Sequence, residues 1–222
     1  MTEPADRNHY SYTYYADPAA ARSFDDRRFG GPIGELVATS QADVLLAFAG
    51  PLEGRRVLDV GTGTGRAAFL LAAAGAQTIG VDASQEMLAV ARSRAVGAPR
   101  SVEFRVGDAH HLEFPDRSFD LVVSFRVLMH TPGWRTCVAE LCRVSRSRVI
   151  FDYPSAHSAA ALQSVGRKVL YWCGLADEPY RVFTDGEIAI ELRRAGFAIR
   201  EVHRQFVLPI AIHKAEIGRA HV

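Results

Sequence analysis

One stretch constrains this chain more than any other: Val57-Leu58-Asp59-Val60-Gly61-Thr62-Gly63-Thr64-Gly65-Arg66. An apolar run, Val57 to Val60, reads as a short buried strand. It enters three glycines at alternating positions, and an Ala/Leu-rich helical pattern, Ala67 to Ala74, follows at once. Strand, glycine turn and helix form the entry to a nucleotide site. Glycine lets the backbone turn tightly and lets a ligand approach it closely. The helix start adds unpaired N–H groups and positive dipole.

Downstream the pattern is strand–helix alternation. Gln77 to Val81 predicts a second strand ending at Asp82, and Ser84 caps a helix from Gln85 to Val96. Val102 to Val106 predicts a third strand ending at Gly107-Asp108. Phe119 to Phe125 is a nearly continuous apolar run, as for a strand buried on both faces. Trp134 to Val144 predicts a helix and Arg148 to Tyr153 a fifth strand. Thr184-Asp185-Gly186-Glu187 is a capping box that opens a helix to Ala195, and Ala198 to Leu208 predicts a final strand. Strands separated by helices imply a parallel sheet with helices on both faces.

The N-terminal segment is less regular. Residues 1 to about 30 are polar and aromatic, with Tyr10, Tyr12, Tyr14, Tyr15, Phe24 and Phe29. They read either as an arm packing rings on the core or as a lid over a ligand. Glu35 to Ala49 predicts a helix. Between the fifth strand and the capping box, Ala159 to Cys173 predicts an apolar helix that either walls a substrate pocket or packs on the sheet.

Composition narrows the class. At 222 residues with 48% hydrophobic content, the chain suits one globular domain. A formal net charge of +1 gives no bias toward nucleic acid. Three cysteines, Cys137, Cys142 and Cys173, have no metal-ligand spacing and cannot all pair. With no apolar leader at the N-terminus and no run of membrane-spanning length, the expectation is a cytoplasmic enzyme.

The glycine turn admits two readings. A dinucleotide fingerprint, G-x-G-x-x-G, needs glycine at 66, where Arg66 stands. Asp59 is poorly placed for a pyrophosphate and well placed for the ammonium of an amino-acid moiety. The carboxylate end of such a ligand is expected to meet the N–H groups of the glycine turn. Asp82 suits ribose hydroxyls, which fits either reading. Asp108 with Ala109 suits an adenine amino group and ring nitrogen. Three acids at three consecutive strand ends beside one glycine turn make a specific arrangement.

On these residues the chain resembles the class I S-adenosylmethionine-dependent methyltransferases, in the group that includes the ubiquinone/menaquinone C-methyltransferases. The resemblance covers about 52–153 and resumes over 184–208. It implies an α/β fold, a Rossmann-like doubly wound, mostly parallel sheet flanked by helices. It implies S-adenosylmethionine as cofactor, with Asp59, Gly61, Thr62, Gly63 and Gly65 at the methionine portion. Asp82 would hold the ribose, with Ala83 and Met87 against the adenine. Asp108 and Ala109 would read the adenine with His110 beside them. Ser124, with Phe125 and Arg126, would border the methionine and the methyl group. Phe114 to Asp120 matches the family's approach to strand four.

For catalysis, His130 and Arg126 are the candidates. His130 serves as a base or merely starts a helix; Arg126 binds an acidic acceptor or pairs with a surface acid. Asp152 and Tyr153 stand at the same rim. His110-His111 finds no partners for a metal set, so no metal is expected and both rings are read as loop histidines exposed to solvent. The expected reaction is in-line methyl transfer to a small, apolar or aromatic acceptor, at an O, N or C atom. An NAD-dependent oxidoreductase and a catalytically inactive cofactor-binding protein are the alternatives.

The expected organisation is an N-terminal arm and cap helix (1–50), a cofactor-binding core (51–153), a helical cap on the substrate side (154–183) and a helix and strand completing the sheet (184–215). The final seven residues, Glu216 to Val222, back-translate to the start of a common sequencing adapter, GAG ATC GGA AGA GCA CAC GTC. Residues 216–222 are therefore expected to be a non-native tail. The resemblance adds a last antiparallel strand, expected to be missing through truncation after Ala215.

Overall fold

A computed structural model describes residues 15–98, 100–157 and 181–204 of the chain. Three helices come first: α1 (Pro18–Arg22), α2 (Phe24–Phe29) and α3 (Gly31–Ala49). The α/β unit follows as β1 (Arg56–Val60), α4 (Arg66–Ala73), β2 (Gln77–Asp82), α5 (Gln85–Ala95), β3 (Glu103–Val106) and β4 (Phe119–Ser124). A 3-10 turn (Leu128–His130), α6 (Trp134–Val144), β5 (Ser145–Phe151) and α7 (Asp185–Arg194) complete the described elements.

The five strands form one parallel sheet in the order β3-β2-β1-β4-β5. The two apolar runs of the sequence, β1 and β4, are among its three inner strands. Both are almost wholly buried, whereas β3 and β5 are mostly polar and form the described edges. Successive side chains alternate faces. Leu58, Val60 and Val122 face α6 and α7, where Val138, Leu141 and Ile188 cover them. Val57, Leu121 and Val123 face α3 and α4, against Leu45 and Leu71. Each such aliphatic side chain contributes roughly 1.5–3 kcal/mol relative to exposure.

Local signals account for most boundaries. Ser84 caps α5 by accepting from Met87 N at 3.0 Å. Thr184 and Glu187 close the capping box of α7. Helix α3 starts at Gly31, four residues before the expected Glu35, because Pro32 sits in its first turn, where no N–H is needed. Strand β5 starts at Ser145, three residues before the expected Arg148. Its first residues are polar, and pairing with β4 rather than burial makes them strand. Residues 198–204, expected as strand, have no ladder partner among the described residues and have exposed side chains. Period-two alternation supplies a face but not a neighbour. The rest of that expected strand, the helix expected over 159–173, Tyr10, Tyr12, Tyr14, Cys173 and the tail 216–222 lie outside the described residues. No helix among the described residues is long and apolar enough to cross a membrane.

Strand order reverses between β1 and β4, so the crossovers from these two strands leave toward opposite faces. A crevice opens there, outside the carboxyl ends of the strands.

Candidate active site

The crevice is a cleft of about 630 Å³, within the range of small-molecule sites. Its floor is the glycine turn. Gly61, Gly63 and Gly65 all have positive φ, at 71°, 54° and 86°. A Cβ on Gly61 would lie 2.1 Å from Val127 Cγ2, so only glycine lets the turn pass beneath the loop after β4.

Three carboxylates stand at the strand ends. Asp59 is 2% exposed and accepts from Thr62 Oγ1 at 2.7 Å. Burial pushes its pKa from 3.8 up to about 7, against the hydrogen bonds of Thr62 and the Ala68 N–H and with help from the charge of Asp82. Asp82 accepts from Gly63 N (2.8 Å) and Ser84 N (2.9 Å), tying the glycine turn to the end of β2. Desolvation raises its pKa too. Among the described residues neither Asp59 nor Asp82 has a cationic partner. Asp108 accepts from the backbone N of His110 (2.8 Å) and its ring Nδ1 (2.7 Å).

Asp59, Gly61, Thr62 and Gly63 line the cleft, as do Asp82, Ala83 and Met87 and, further along, Asp108, Ala109 and His110. The His110 ring is largely buried against Asp108, which corrects its reading as a solvent-exposed loop histidine; only His111 is exposed. Two expected contacts fall outside the lining. Gly65 caps α4, where an added Cβ would meet Phe69 and Phe104 at 2.8 and 2.9 Å. Ser124 is 1% exposed and shares a strand face with Val122, so its side chain is buried within the sheet layer, and its hydroxyl finds no partner there.

The opposite wall was only partly legible. Tyr15, Phe24 and Phe29 line it, which favours the lid reading of the N-terminal segment over the loose arm. Ser84 Oγ donates to Tyr15 O at 2.6 Å, and Asp25 accepts from Thr64 Oγ1 at 3.0 Å and pairs with Arg94. Helix α3 contributes Ala38, Gln41, Ala42 and Leu45, a stripe that sequence reasoning missed as a pocket wall. Its i, i+3, i+4, i+7 spacing was the available signal. At the β4 end, Arg126 and His130 both face the cleft. Arg126 holds a left-handed φ of 63°, and its N–H donates to Asp152 Oδ1. Its guanidinium approaches Met129 Sδ at 4.0 Å and, among the described residues, has no carboxylate partner. The His130 ring meets Tyr15 edge-on at 6.1 Å. Asp152 and Tyr153 stand behind this rim; the Tyr153 hydroxyl donates to Asp185 at 2.9 Å.

The sequence profile described as "Methyltransferase domain" matches residues 58–151, the span from β1 to the end of β5. A ubiquinone biosynthesis O-methyltransferase from Sinorhizobium medicae is 30% identical over 166 residues, covering 72% of this chain and 67% of that protein. The chain belongs to the class I S-adenosylmethionine-dependent methyltransferases. A demethylmenaquinone methyltransferase from Clavibacter sepedonicus is 41% identical over 108 residues, 49% of this chain and 41% of the relative. The methyltransferase also shares its fold with the magnesium protoporphyrin IX methyltransferase of Synechocystis, solved with S-adenosylhomocysteine. That match has a TM-score of 0.69 at 22% identity and covers 87% of this chain and 91% of that one. Membership removes the oxidoreductase alternative. The enzyme takes its methyl group from S-adenosylmethionine and passes it to a small-molecule acceptor.

The residues of this cleft fit that cofactor. Two desolvated carboxylates without a cation call for a ligand with an ammonium and hydroxyl donors. The positive-φ glycines leave a floor with no Cβ above it.

Proposed function

We propose that the methyltransferase acts on an apolar or aromatic small molecule, held between the α3 stripe and the rings of the N-terminal segment. The observation that carries this reading is the asymmetry of the cleft: carboxylates at the strand ends, and opposite them Phe24, Phe29, Ala38, Ala42 and Leu45. Bound S-adenosylmethionine supplies an electrophilic methyl group on a sulfonium. Asp59 takes the ammonium of the methionine portion, and Asp82 takes the ribose hydroxyls with the lone pairs left by Gly63 N and Ser84 N. Asp108 and Ala109 read the adenine edge while Met87 packs on its face. Water is excluded by Tyr15 and its neighbours, which strengthens each polar contact inside.

On the acceptor side, alignment with the methyl provides much of the acceleration. His130 removes the proton of an oxygen or nitrogen acceptor. Arg126 supplies a counter-charge to an acidic acceptor, and its left-handed backbone is the kind of local strain that persists where a side chain must be aimed. Names of relatives support a ring acceptor: one is named for ubiquinone and one for demethylmenaquinone. We place the enzyme in the cytoplasm, on the free, buried thiols of Cys137 and Cys142.

The test is transfer of labelled methyl to a panel of phenols, aromatic carboxylates and hydrophilic amines. Label is expected in the aromatic compounds. His130→Asn is expected to lower kcat by about 10²–10⁴ for oxygen or nitrogen acceptors. Transfer confined to hydrophilic amines would overturn the acceptor assignment.

A further inference from the structure

The glycine turn was expected to meet the carboxylate end of the ligand, and its own hydrogen bonds argue against that. Gly61 N and Thr62 N both donate to Val81 O, at 2.8 and 3.0 Å. Gly63 N donates to Asp82 Oδ2 at 2.8 Å and Gly65 N to Thr62 O at 2.9 Å. Four of the turn's donors are already satisfied by the protein, so an anionic group bound here gains from a further partner.

Arg66 is placed to be that partner. It opens α4 directly after the turn, lines the cleft and is half-buried. Its guanidinium lies over the Phe29 ring, 3.4 Å from the centroid. Among the described residues it has neither a hydrogen-bond acceptor nor an ion-pair partner. The nearby carboxylate, Asp25, directs both oxygens to Thr64 Oγ1 and pairs with Arg94 instead. Arg94 takes the ion pair of Asp25, so the Arg66 guanidinium is left without a pairing carboxylate at this spot, and the N-terminus of α4 adds to the same sign. Burial holds the Arg66 guanidinium below its ordinary pKa, opposed by Asp25 and reinforced by Arg94. A planar cation with unmet donors, fixed by stacking and facing a ligand cleft, suits bidentate capture of a carboxylate.

We propose that Arg66 binds the carboxylate of the methionine portion of S-adenosylmethionine, with Phe29 fixing the plane of its guanidinium. The assignment rests on the cofactor placement above. Arg66 and Asp59 then read the two ends of the zwitterion from opposite sides of the glycine turn. Phe29 belongs to the N-terminal segment, so that segment and the amino-acid end of the cofactor are held by one contact.

The test compares S-adenosylhomocysteine with its decarboxylated analogue, which keeps the ammonium, by calorimetry on the full chain. Wild type is expected to bind S-adenosylhomocysteine roughly tenfold to a hundredfold tighter, as a charge-assisted hydrogen-bonded pair allows. Arg66→Gln is expected to erase that preference while leaving affinity for the analogue unchanged. Arg66→Lys should restore part of it, and Phe29→Leu should lose part of it. Equal weakening of both ligands in Arg66→Gln would overturn the assignment in favour of a packing role. Unchanged affinity for S-adenosylhomocysteine in that variant, with a raised KM for the acceptor, would reassign Arg66 to the acceptor. If wild type bound neither ligand, the cofactor placement itself would fail, and this assignment with it.

Discussion

At the scale of single residues, Asp59 has the chemistry that solution experiments read most directly. Its pKa in the free protein rises from 3.8 to about 7, chiefly through burial. The folded state therefore holds a proton that the unfolded state releases, between about pH 4 and pH 7. Over that window the unfolded chain binds fewer protons, so the contribution of Asp59 to stability falls as pH rises. A bound ammonium reverses the preference and ionises the group. Cofactor binding is thus expected to release a proton near about pH 6, where free Asp59 is mostly protonated, and none near about pH 8. Calorimetry with S-adenosylhomocysteine in buffers of different ionisation enthalpy measures this release. Asp59→Asn should abolish it. Absence of proton uptake by the buffer at the lower pH in wild type would mean that no cation sits on Asp59.

At the scale of elements, the loop after β3 shows how a segment with little sequence signal is fixed. Residues 109–117 carry no helix or strand pattern, yet they follow Asp108 and carry His110 into the cleft. Arg143, in the last turn of α6, clamps this loop. Its Nη2 donates to Leu112 O and its Nη1 to Phe114 O, both at 2.8 Å, and Asp116 accepts at 2.7 Å. Glu140 braces the guanidinium and accepts from Leu112 N at 2.8 Å. Both acids hold the arginine pKa above its ordinary value. Arg143→Met leaves two loop carbonyls unmet and should cost about 2 kcal/mol, since the site is partly exposed. Hydrogen exchange over 109–117 is expected to speed up more than elsewhere, and S-adenosylhomocysteine to bind more weakly. Exchange unchanged in that loop would assign its order to other contacts.

At the scale of the molecule, the parallel sheet and its helices form one body, and the N-terminal helices form a cover latched onto it. No residue of α1 or α2 belongs to the three apolar clusters that bury the sheet. Apart from the small buried alanines of α1, Ala20 and Ala21, the attachments of this segment are polar or aromatic: Tyr15 to Ser84, Asp25 to Thr64 and Arg94, Phe29 to Arg66. Deleting residues 1–30 should therefore leave cooperative unfolding intact and lower Tm by only a few degrees, on the order of 1 kcal/mol. Dissociation of S-adenosylhomocysteine should quicken by about tenfold or more, because the cover closes the cleft. Stopped-flow fluorescence and thermal melts separate the two effects. An unchanged dissociation rate would show that the cover does not gate the cofactor.

The amino-acid sequence determined the strand ends and what stands on them. Local rules operate there: apolar runs for β1 and β4, glycines that alone tolerate the turn, a serine and a threonine that cap helices. Asp59, Asp82 and Asp108 were legible because each lies within two residues of the carboxyl end of a strand. Tertiary structure decided which of these groups face a ligand and which face the core. Gly65 and Ser124 sit inside the expected site in sequence and outside the cleft in space, because helix packing and strand alternation turn them inward. Conversely, Phe29, Gln41 and Arg66 lie far apart along the chain and all line the cleft. Their role depends on where α2, α3 and α4 cross over the sheet, a long-range arrangement that the stripe of α3 and the rings of the N-terminal segment do not by themselves specify. The glycine turn shows both halves of the division. Its conformation follows from residue type, while the fate of its N–H groups was set by β2 lying alongside, with Val81 and Asp82 in reach.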